Sequence, residues 1–106
     1  MDRYGQRLVA RVLGPKEAEI LARRRDRAAF MAGRFAAKEA LIKALGKYIK
    51  DRPPLNSLEI LNDSAGRPSV RLPATLAQAL AHISIEISIS HERSYAIGLA
   101  VCVEKL

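Results

Sequence analysis

The sequence predicts an α+β fold in which a small antiparallel sheet packs with a long central helix and shorter helices. Apolar residues recur at helical spacing through the first 45 residues. The segment 83–90, ISIEISIS, alternates isoleucine with serine or glutamate, which is typical of a half-buried antiparallel strand. The stretch 62–66, NDSAG, is rich in turn-forming residues and predicts a hairpin. The 106 residues suit one small domain, 1–106.

The long helix is predicted from about Ala28 to Leu45, because helix-forming residues dominate, proline is absent and Gly46 suits the closing position. Six apolar residues share one arc about 140° wide, which should face the core: Phe30, Met31, Phe35, Leu41, Ile42 and Leu45. Arg34 and Lys38 fall in the same arc. Two like charges on an apolar face are costly unless an anionic group meets them.

Structural explanations compete with functional ones for these charges. Arg34 and Lys38 can lay their stems on the core and keep their charged groups in water. Glu39 and Lys43, four residues apart beside the arc, are an ordinary helix-stabilising pair worth a few tenths of a kcal/mol. Alternatively, the carboxylate holds a cation.

The remaining elements follow from periodicity and turn residues. Helices are predicted over 2–13, with Arg3, Arg7 and Arg11 in one row, and from Pro15, where proline suits the first turn. The row is either a solvated face or a docking surface for carboxylates. Strands and a short helix complete the prediction: strands 58–61 and 69–72, helix 74–81, and strands 83–90 and 95–103.

Charge is spread unevenly along the chain, whose net charge is +7. Residues 1–52 contain 14 Lys and Arg against 6 Asp and Glu, whereas residues 53–106 contain 4 against 5. A basic half indicates a nucleic acid, a membrane surface, a phosphorylated ligand or an acidic protein as partner. Cys102 is the only cysteine, so an intrachain disulfide is excluded and a core thiol is expected. No apolar run approaches the roughly 18–20 residues of a membrane span, and we expect a cytoplasmic protein.

The last hairpin offers a second group of candidate site residues. Ser90 and His91 fall at the end of the alternating strand, where a site is held rigidly. The serine face of this strand leaves room for a ligand or another chain, since strands usually place larger residues there. An isolated histidine at a turn is otherwise simply exposed. No Gly-rich phosphate loop and no catalytic serine or zinc motif of a known type is present.

Three motifs in order resemble the bacterial holo-acyl-carrier-protein synthases, small 4′-phosphopantetheinyl transferases. They are FMAGRFAAKEALIKALG, LEILNDSAGRPSV and ISIEISISHERSYAIGLAVCVE, and the resemblance covers roughly residues 8–104. It implies a Mg²⁺-dependent enzyme that moves the phosphopantetheine arm of coenzyme A to a serine of apo acyl carrier protein, releasing 3′,5′-ADP. It further implies a homotrimer with sites between subunits, and an acidic carrier protein docked on an N-terminal arginine-bearing helix.

The resemblance also assigns roles to individual residues. Glu39 matches the metal-binding glutamate, and Lys43 matches a lysine that contacts phosphate and helps to deprotonate the attacking serine. Seven further positions are expected near coenzyme A, some of them at its phosphates: Arg34, Lys38, Gly46, Gly66, Pro68, Ser90 and His91. Lys43 is included in this coenzyme A group as well.

One departure from the family pattern is visible. Members begin with a strand of the type GIDIVEI, whose aspartate is a second metal ligand, whereas this sequence begins at Met1-Asp2-Arg3. We therefore expect weak Mg²⁺ binding and an uncovered sheet edge or core slot. Two alternatives to the active transferase remain: a catalytically impaired family member that still binds the carrier protein, and a basic nucleic-acid-binding module. The transferase interpretation predicts no nucleic-acid and no membrane partner.

Overall fold

A computed structural model describes residues 3–106, with side chains from residue 5 onward. Three helices precede the strands and a fourth, short helix lies between the second and third strands, which confirms the predicted α+β class. In chain order the elements are α1 (Arg3–Val12), α2 (Pro15–Arg23), α3 (Arg27–Leu45), a single 3₁₀ turn (Leu55–Ser57), β1 (Glu59–Asn62), β2 (Pro68–Arg71), α4 (Ala74–Ala79), β3 (Ile83–His91) and β4 (Ala96–Glu104).

The helix boundaries agree closely with those predicted from proline and glycine in the sequence. Helix α2 begins at Pro15, whose missing N–H costs nothing in a first turn. Helix α3 ends at Leu45, and the Gly46 N–H donates to the Lys43 carbonyl at 3.3 Å. Gly46 has φ −55°, so it closes the helix in the right-handed region and does not use the left-handed conformation that glycine allows.

The strands form two separate antiparallel hairpins within the described residues, rather than one continuous sheet. In the first, Asn62 of β1 lies opposite Pro68 of β2, so the turn spans residues 63–67. In the second, β3 pairs with β4 from Ile83 opposite Glu104 to His91 opposite Ala96. Both hairpins were predicted from alternation and turn residues.

The main core lies where α3 crosses the two hairpins. Its buried members come from α3, β1, β3 and the residues just before β1 and β3: Ala37, Leu41, Ile42, Leu45, Leu58, Ile60, Leu80, Ile83 and Ile87. A smaller cluster joins the three N-terminal helices through Val12, Leu13, Leu21 and Phe30. Gly98 allows β4 to touch α3, because a Cβ there would lie 2.6 Å from the Ala36 backbone carbon.

Two apolar surfaces are exposed. Phe35 was predicted to face the core, but it is 46% exposed, because it lies on the α1 side of α3, away from the hairpins. The outer face of β4 exposes four apolar side chains about half their surface: Ile97, Leu99, Val101 and Val103. We call these four residues the β4 stripe; in register beside them lie Ser90, Ser88, Glu86 and Ser84 of β3. Among the described residues, no helix has the length and apolar character needed to cross a bilayer.

Candidate functional site

A cavity of about 230 Å³ lies where α3, the β1–β2 hairpin and the end of β3 meet. Its lining is formed by Arg34, Asn62, Gly66, Pro68, Ile87, Ser88, Ile89 and His91. Four of these residues were predicted as coenzyme A contacts: Arg34, Gly66, Pro68 and His91. They come from three elements that are distant in sequence, so only the fold brings them together.

The hairpin wall of the cavity is held by a tight turn. Gly66 has φ +85°, a conformation that side-chain-bearing residues rarely adopt, and its N–H donates to the Asp63 carbonyl at 2.9 Å. The Asp63 side chain accepts from the N–H groups of Ala65 and Arg67, both at 2.9 Å. These hydrogen bonds, the Arg67 N–H foremost, hold the pKa of Asp63 below its ordinary value. Pro68 then begins β2.

His91 closes the opposite wall and lies against α3. Its Nε2 is 3.0 Å from the Ala29 carbonyl oxygen, so Nε2 carries the proton and donates. The imidazole fits there because Gly33 has no side chain: a Cβ at that position would lie 2.6 Å from Nε2. His91 is therefore held at the cavity by a hydrogen bond and by a glycine on the facing helix.

Arg34 supplies the positive charge of the cavity. It is only 7% exposed, and its guanidinium carbon lies 4.5 Å from the centre of the Phe30 ring. Its Nε lies 3.6 Å from Glu17 Oε2, too far for a hydrogen bond, and has no other partner in the described structure. Burial lowers the pKa of Arg34 and the Glu17 carboxylate opposes that shift, so the guanidinium stays charged.

Lys38 lies in the core rather than at the cavity wall. It is fully buried, and its ammonium donates to Glu17 Oε1 at 2.6 Å, to the Leu55 carbonyl at 3.1 Å and to the Val12 carbonyl. All three protons have partners inside the protein, and Lys38 does not line the cavity, so its contact with phosphate stays a prediction. Burial lowers the pKa of Lys38, against the effect of Glu17.

Glu39, the predicted metal ligand, is partly exposed and pairs with Arg52, whose Nη2 lies 2.7 Å from Oε1. The expected helix pair with Lys43 is not the one formed. No group of three or more acidic, histidine or cysteine side chains in the described part of the chain is arranged to hold a metal. Mg²⁺ often takes only one or two protein carboxylates and completes its shell with substrate phosphate and water. Glu39 fits that limited role.

The other predicted site residues lie outside the cavity. Lys43 and Gly46 are exposed at the C-terminal end of α3. Ser90 does not line the cavity either, although Ser88, on the same face of β3, does.

Sequence reasoning missed three residues around this site. Asn62 and Ser88 line the cavity; both belong to stretches that the sequence singled out, NDSAG and ISIEISIS, but neither was named as a site residue. Glu17, in the first turn of the helix that begins at Pro15, is fully buried. The sequence does contain a pattern that could have indicated a structural role for Glu17: it follows Gly14 by three residues, which is the spacing of a capping box. In the structure its carboxylate accepts a hydrogen bond from the Gly14 N–H at 3.0 Å.

A second, larger depression of about 730 Å³ separates α1 from α3, and we call it the α1–α3 groove. It is lined by Gly5, Leu8, Val9, Val12, Arg27, Ala28, Met31, Ala32 and Phe35. Of the predicted arginine row, Arg7 and Arg11 are exposed on α1. The side chain of Arg3 lies outside the described side chains.

The α+β fold holds a compact cavity lined by one arginine, a glycine turn and a histidine, a combination that suits an anionic group. Comparison with known proteins gives the family. The model of the 4′-phosphopantetheinyl transferase superfamily matches residues 1–100. The holo-[acyl-carrier-protein] synthase of Chlorobium luteolum is 42% identical over 102 residues, which is 94% of this chain and 83% of that protein.

Solved structures agree with the sequence comparison. The holo-[acyl-carrier-protein] synthase of Neisseria meningitidis superposes with a TM-score of 0.84 at 28% identity, over 96% of this chain and 84% of that one. The Helicobacter pylori synthase, solved in complex with coenzyme A, gives a TM-score of 0.79 at 27% identity, over 96% and 86%. The chain belongs to the holo-[acyl-carrier-protein] synthase family of 4′-phosphopantetheinyl transferases and is an enzyme of that family.

Proposed function

We propose that this enzyme transfers the 4′-phosphopantetheine arm of coenzyme A to a serine of an apo acyl carrier protein, with Mg²⁺, in fatty acid biosynthesis. One observation carries the proposal for the site. Arg34, Gly66, Pro68 and His91, each matched to a coenzyme A contact by sequence alone, line a single cavity. A chance match would have no reason to gather residues from three elements.

The reaction requires few protein groups. The serine hydroxyl of the carrier protein forms a new bond to the phosphorus that bears the pantetheine arm, and the bond from that phosphorus to 3′,5′-ADP breaks. The hydroxyl proton passes to water, and the leaving 3′,5′-ADP carries the additional negative charge. Catalysis then depends on positioning and on charge neutralisation. Arg34 provides a fixed positive charge, and Lys43 provides a mobile one.

The size of the cavity supports a site completed by another subunit. A cavity of about 230 Å³ is smaller than the usual ligand pocket of about 300–1,000 Å³. It suits a phosphate and its sugar, whereas the remainder of coenzyme A needs another surface. The β4 stripe offers an apolar face for self-association, and larger exposed apolar patches commonly mark interfaces. We therefore retain the homotrimer as part of the proposal.

Mg²⁺ would be held by Glu39 together with oxygens of the diphosphate, and it would supply charge neutralisation at the diphosphate when bound. Arg52 now occupies the Glu39 carboxylate at 2.7 Å. Glu39 is free for the cation only after this exposed ion pair opens, which costs little because such pairs contribute about 0–1 kcal/mol.

The α1–α3 groove is the proposed carrier-protein docking surface. Its floor is apolar, with Leu8 and Phe35 nearly half exposed. Arg27 lines the groove, and Arg7 and Arg11 are exposed elsewhere on α1. An acidic helix with an apolar face matches this combination, because the arginines pair with carboxylates while the apolar side chains are buried.

The test measures the intact mass of an apo acyl carrier protein after incubation with the enzyme, coenzyme A and MgCl₂. We expect a gain of one phosphopantetheine group, greatly slowed by Arg34→Ala and by Glu39→Ala. Arg71→Ala and Glu19→Ala, which alter exposed residues outside the site, serve as matched controls. No mass gain with any apo carrier protein offered would reject the transferase activity of this chain.

A second candidate is a catalytically impaired family member that binds the carrier protein without modifying it. Two observations favour it: Glu39 is already paired with Arg52, and the described residues contain no cluster of three potential metal ligands. Binding of apo carrier protein to the enzyme, with no mass gain at saturating MgCl₂, would identify this alternative.

A further inference from the structure

Glu17 is the centre of a buried ionic cluster behind the cavity. The carboxylate is fully buried and accepts from Lys38 Nζ at 2.6 Å and from the Ile60 N–H at 2.9 Å, besides the Gly14 N–H. It therefore joins the start of α2, the middle of α3 and strand β1. A buried carboxylate with this many donors has its charge well satisfied.

The cluster contains two buried cations, Arg34 and Lys38, around one fully buried carboxylate, and the partly buried Glu59 carboxylate lies close enough to favour the charged form of Lys38. Lys38 has three internal hydrogen-bond acceptors and is satisfied by them. Arg34 is not satisfied: its Nε lies 3.6 Å from Glu17 and has no hydrogen-bond partner. Arg34 is therefore the cation of the cluster with an unused hydrogen-bond donor, and it is the one that lines the cavity.

Arg34 is constrained on two sides. Phe30 lies against the guanidinium, with 4.5 Å from ring centre to guanidinium carbon, and Glu17 lies beside Nε. A free arginine side chain samples many rotamers, and fixing it beforehand reduces the entropy that ligand binding must overcome. The remaining open direction leads into the cavity.

We propose that Glu17 is a positioning residue, which, with its charge balanced by Lys38, holds Arg34 at the cavity wall ready for an anionic group of the ligand. This inference rests on the proposed function, since it assigns the ligand of Arg34 to the 3′,5′-ADP portion of coenzyme A. In this proposal Lys38 acts by balancing the charge of Glu17 and does not contact phosphate.

The test replaces the pair together, because Glu17→Gln alone leaves Lys38 charged and unpaired in the core. The double variant Glu17→Gln/Lys38→Met removes one charge of each sign, and the glutamine oxygen still accepts a backbone N–H. A thermal melt first shows that the double variant is folded. Titration calorimetry with 3′,5′-ADP should then give a dissociation constant about tenfold higher than that of wild type. A tenfold change corresponds to the loss of about one charge-assisted hydrogen bond. Glu19→Gln on the exposed side of α2 should leave the constant unchanged.

A second cycle separates positioning from general loosening. In an Arg34→Lys background, which keeps the charge but removes Nε, the double replacement should change the dissociation constant by less than about twofold. The same tenfold loss in both backgrounds, or no loss in the wild-type background, would overturn the proposal.

The Nε–H signal of Arg34 in ¹⁵N-labelled protein, assigned by its disappearance in Arg34→Lys, gives a readout that needs no ligand. It should be sharp and slow to exchange in wild type, and broadened or lost in Glu17→Gln/Lys38→Met. An unchanged signal would overturn the positioning role. If wild type binds no 3′,5′-ADP, the proposed function fails, while this signal still decides whether Glu17 fixes Arg34.

Discussion

Gly33→Ala is expected to leave stability nearly unchanged while weakening ligand binding. The new Cβ would lie 2.6 Å from His91 Nε2 and 3.0 Å from Ile89 Cγ2, so the imidazole must move and its hydrogen bond to Ala29 is lost. Alanine is favoured over glycine within a helix by about 1 kcal/mol. The lost hydrogen bond costs about 0.5–1.5 kcal/mol. The two effects oppose each other, and the net change in the free energy of unfolding should stay within about 1 kcal/mol, or roughly 5 °C in melting temperature.

The His91→Ala background isolates the clash. There the imidazole is absent, whereas the contact with Ile89 remains the same. Gly33→Ala should therefore raise the free energy of unfolding by about 1 kcal/mol more in His91→Ala than in wild type. Urea unfolding of the four proteins measures the cycle, and calorimetry with 3′,5′-ADP measures the loss of affinity in Gly33→Ala. An identical stability change in both backgrounds would refute the packing of His91 on Gly33.

Three further predictions concern other parts of the fold. Gly98→Ala places a Cβ 2.6 Å from the Ala36 backbone, which cannot rotate away. Urea unfolding should therefore show that the free energy of unfolding falls by about 1–3 kcal/mol or more. An unchanged urea midpoint would contradict the close contact of β4 with α3. Because the folded pKa of Asp63 is lowered, its ionised carboxylate stabilises the hairpin above a pH of about 4 and ceases to do so as the pH falls through the lower folded value. Asp63→Asn should therefore melt below wild type at pH 7, with the difference vanishing on acidification, and a difference independent of pH would be inconsistent with this. Burial raises the pKa of the Cys102 thiol, so iodoacetamide at pH 7.5 should label Cys102 more slowly than a cysteine peptide, as followed by intact mass; labelling at the peptide's rate would disprove it.

The sequence determined the local structure of this protein to a large extent. Pro15 marks a helix start because its backbone properties act within one turn, whatever the rest of the chain does. Helix α3 ends before Gly46 as predicted, although Gly46 keeps a right-handed conformation that any residue can adopt. The alternation of isoleucine and serine predicted β3, since a period of two is imposed by the pleat itself. The inward orientation of Arg34 and Lys38 also followed from helical geometry alone, and both are buried.

Tertiary structure decided what those two side chains meet. Helical periodicity gives the direction of a side chain but neither its depth nor its neighbour, so Arg34 and Lys38 were indistinguishable in sequence. The carboxylate that meets Lys38 comes from Glu17, 21 residues earlier, and it takes Lys38 into the core while Arg34 remains at the cavity. Phe35 shows the same limit, because its exposure depends on the distance between α1 and α3. Periodicity depends on residues that are close together in the sequence. Burial and pairing depend on which distant segments the folded chain brings into contact.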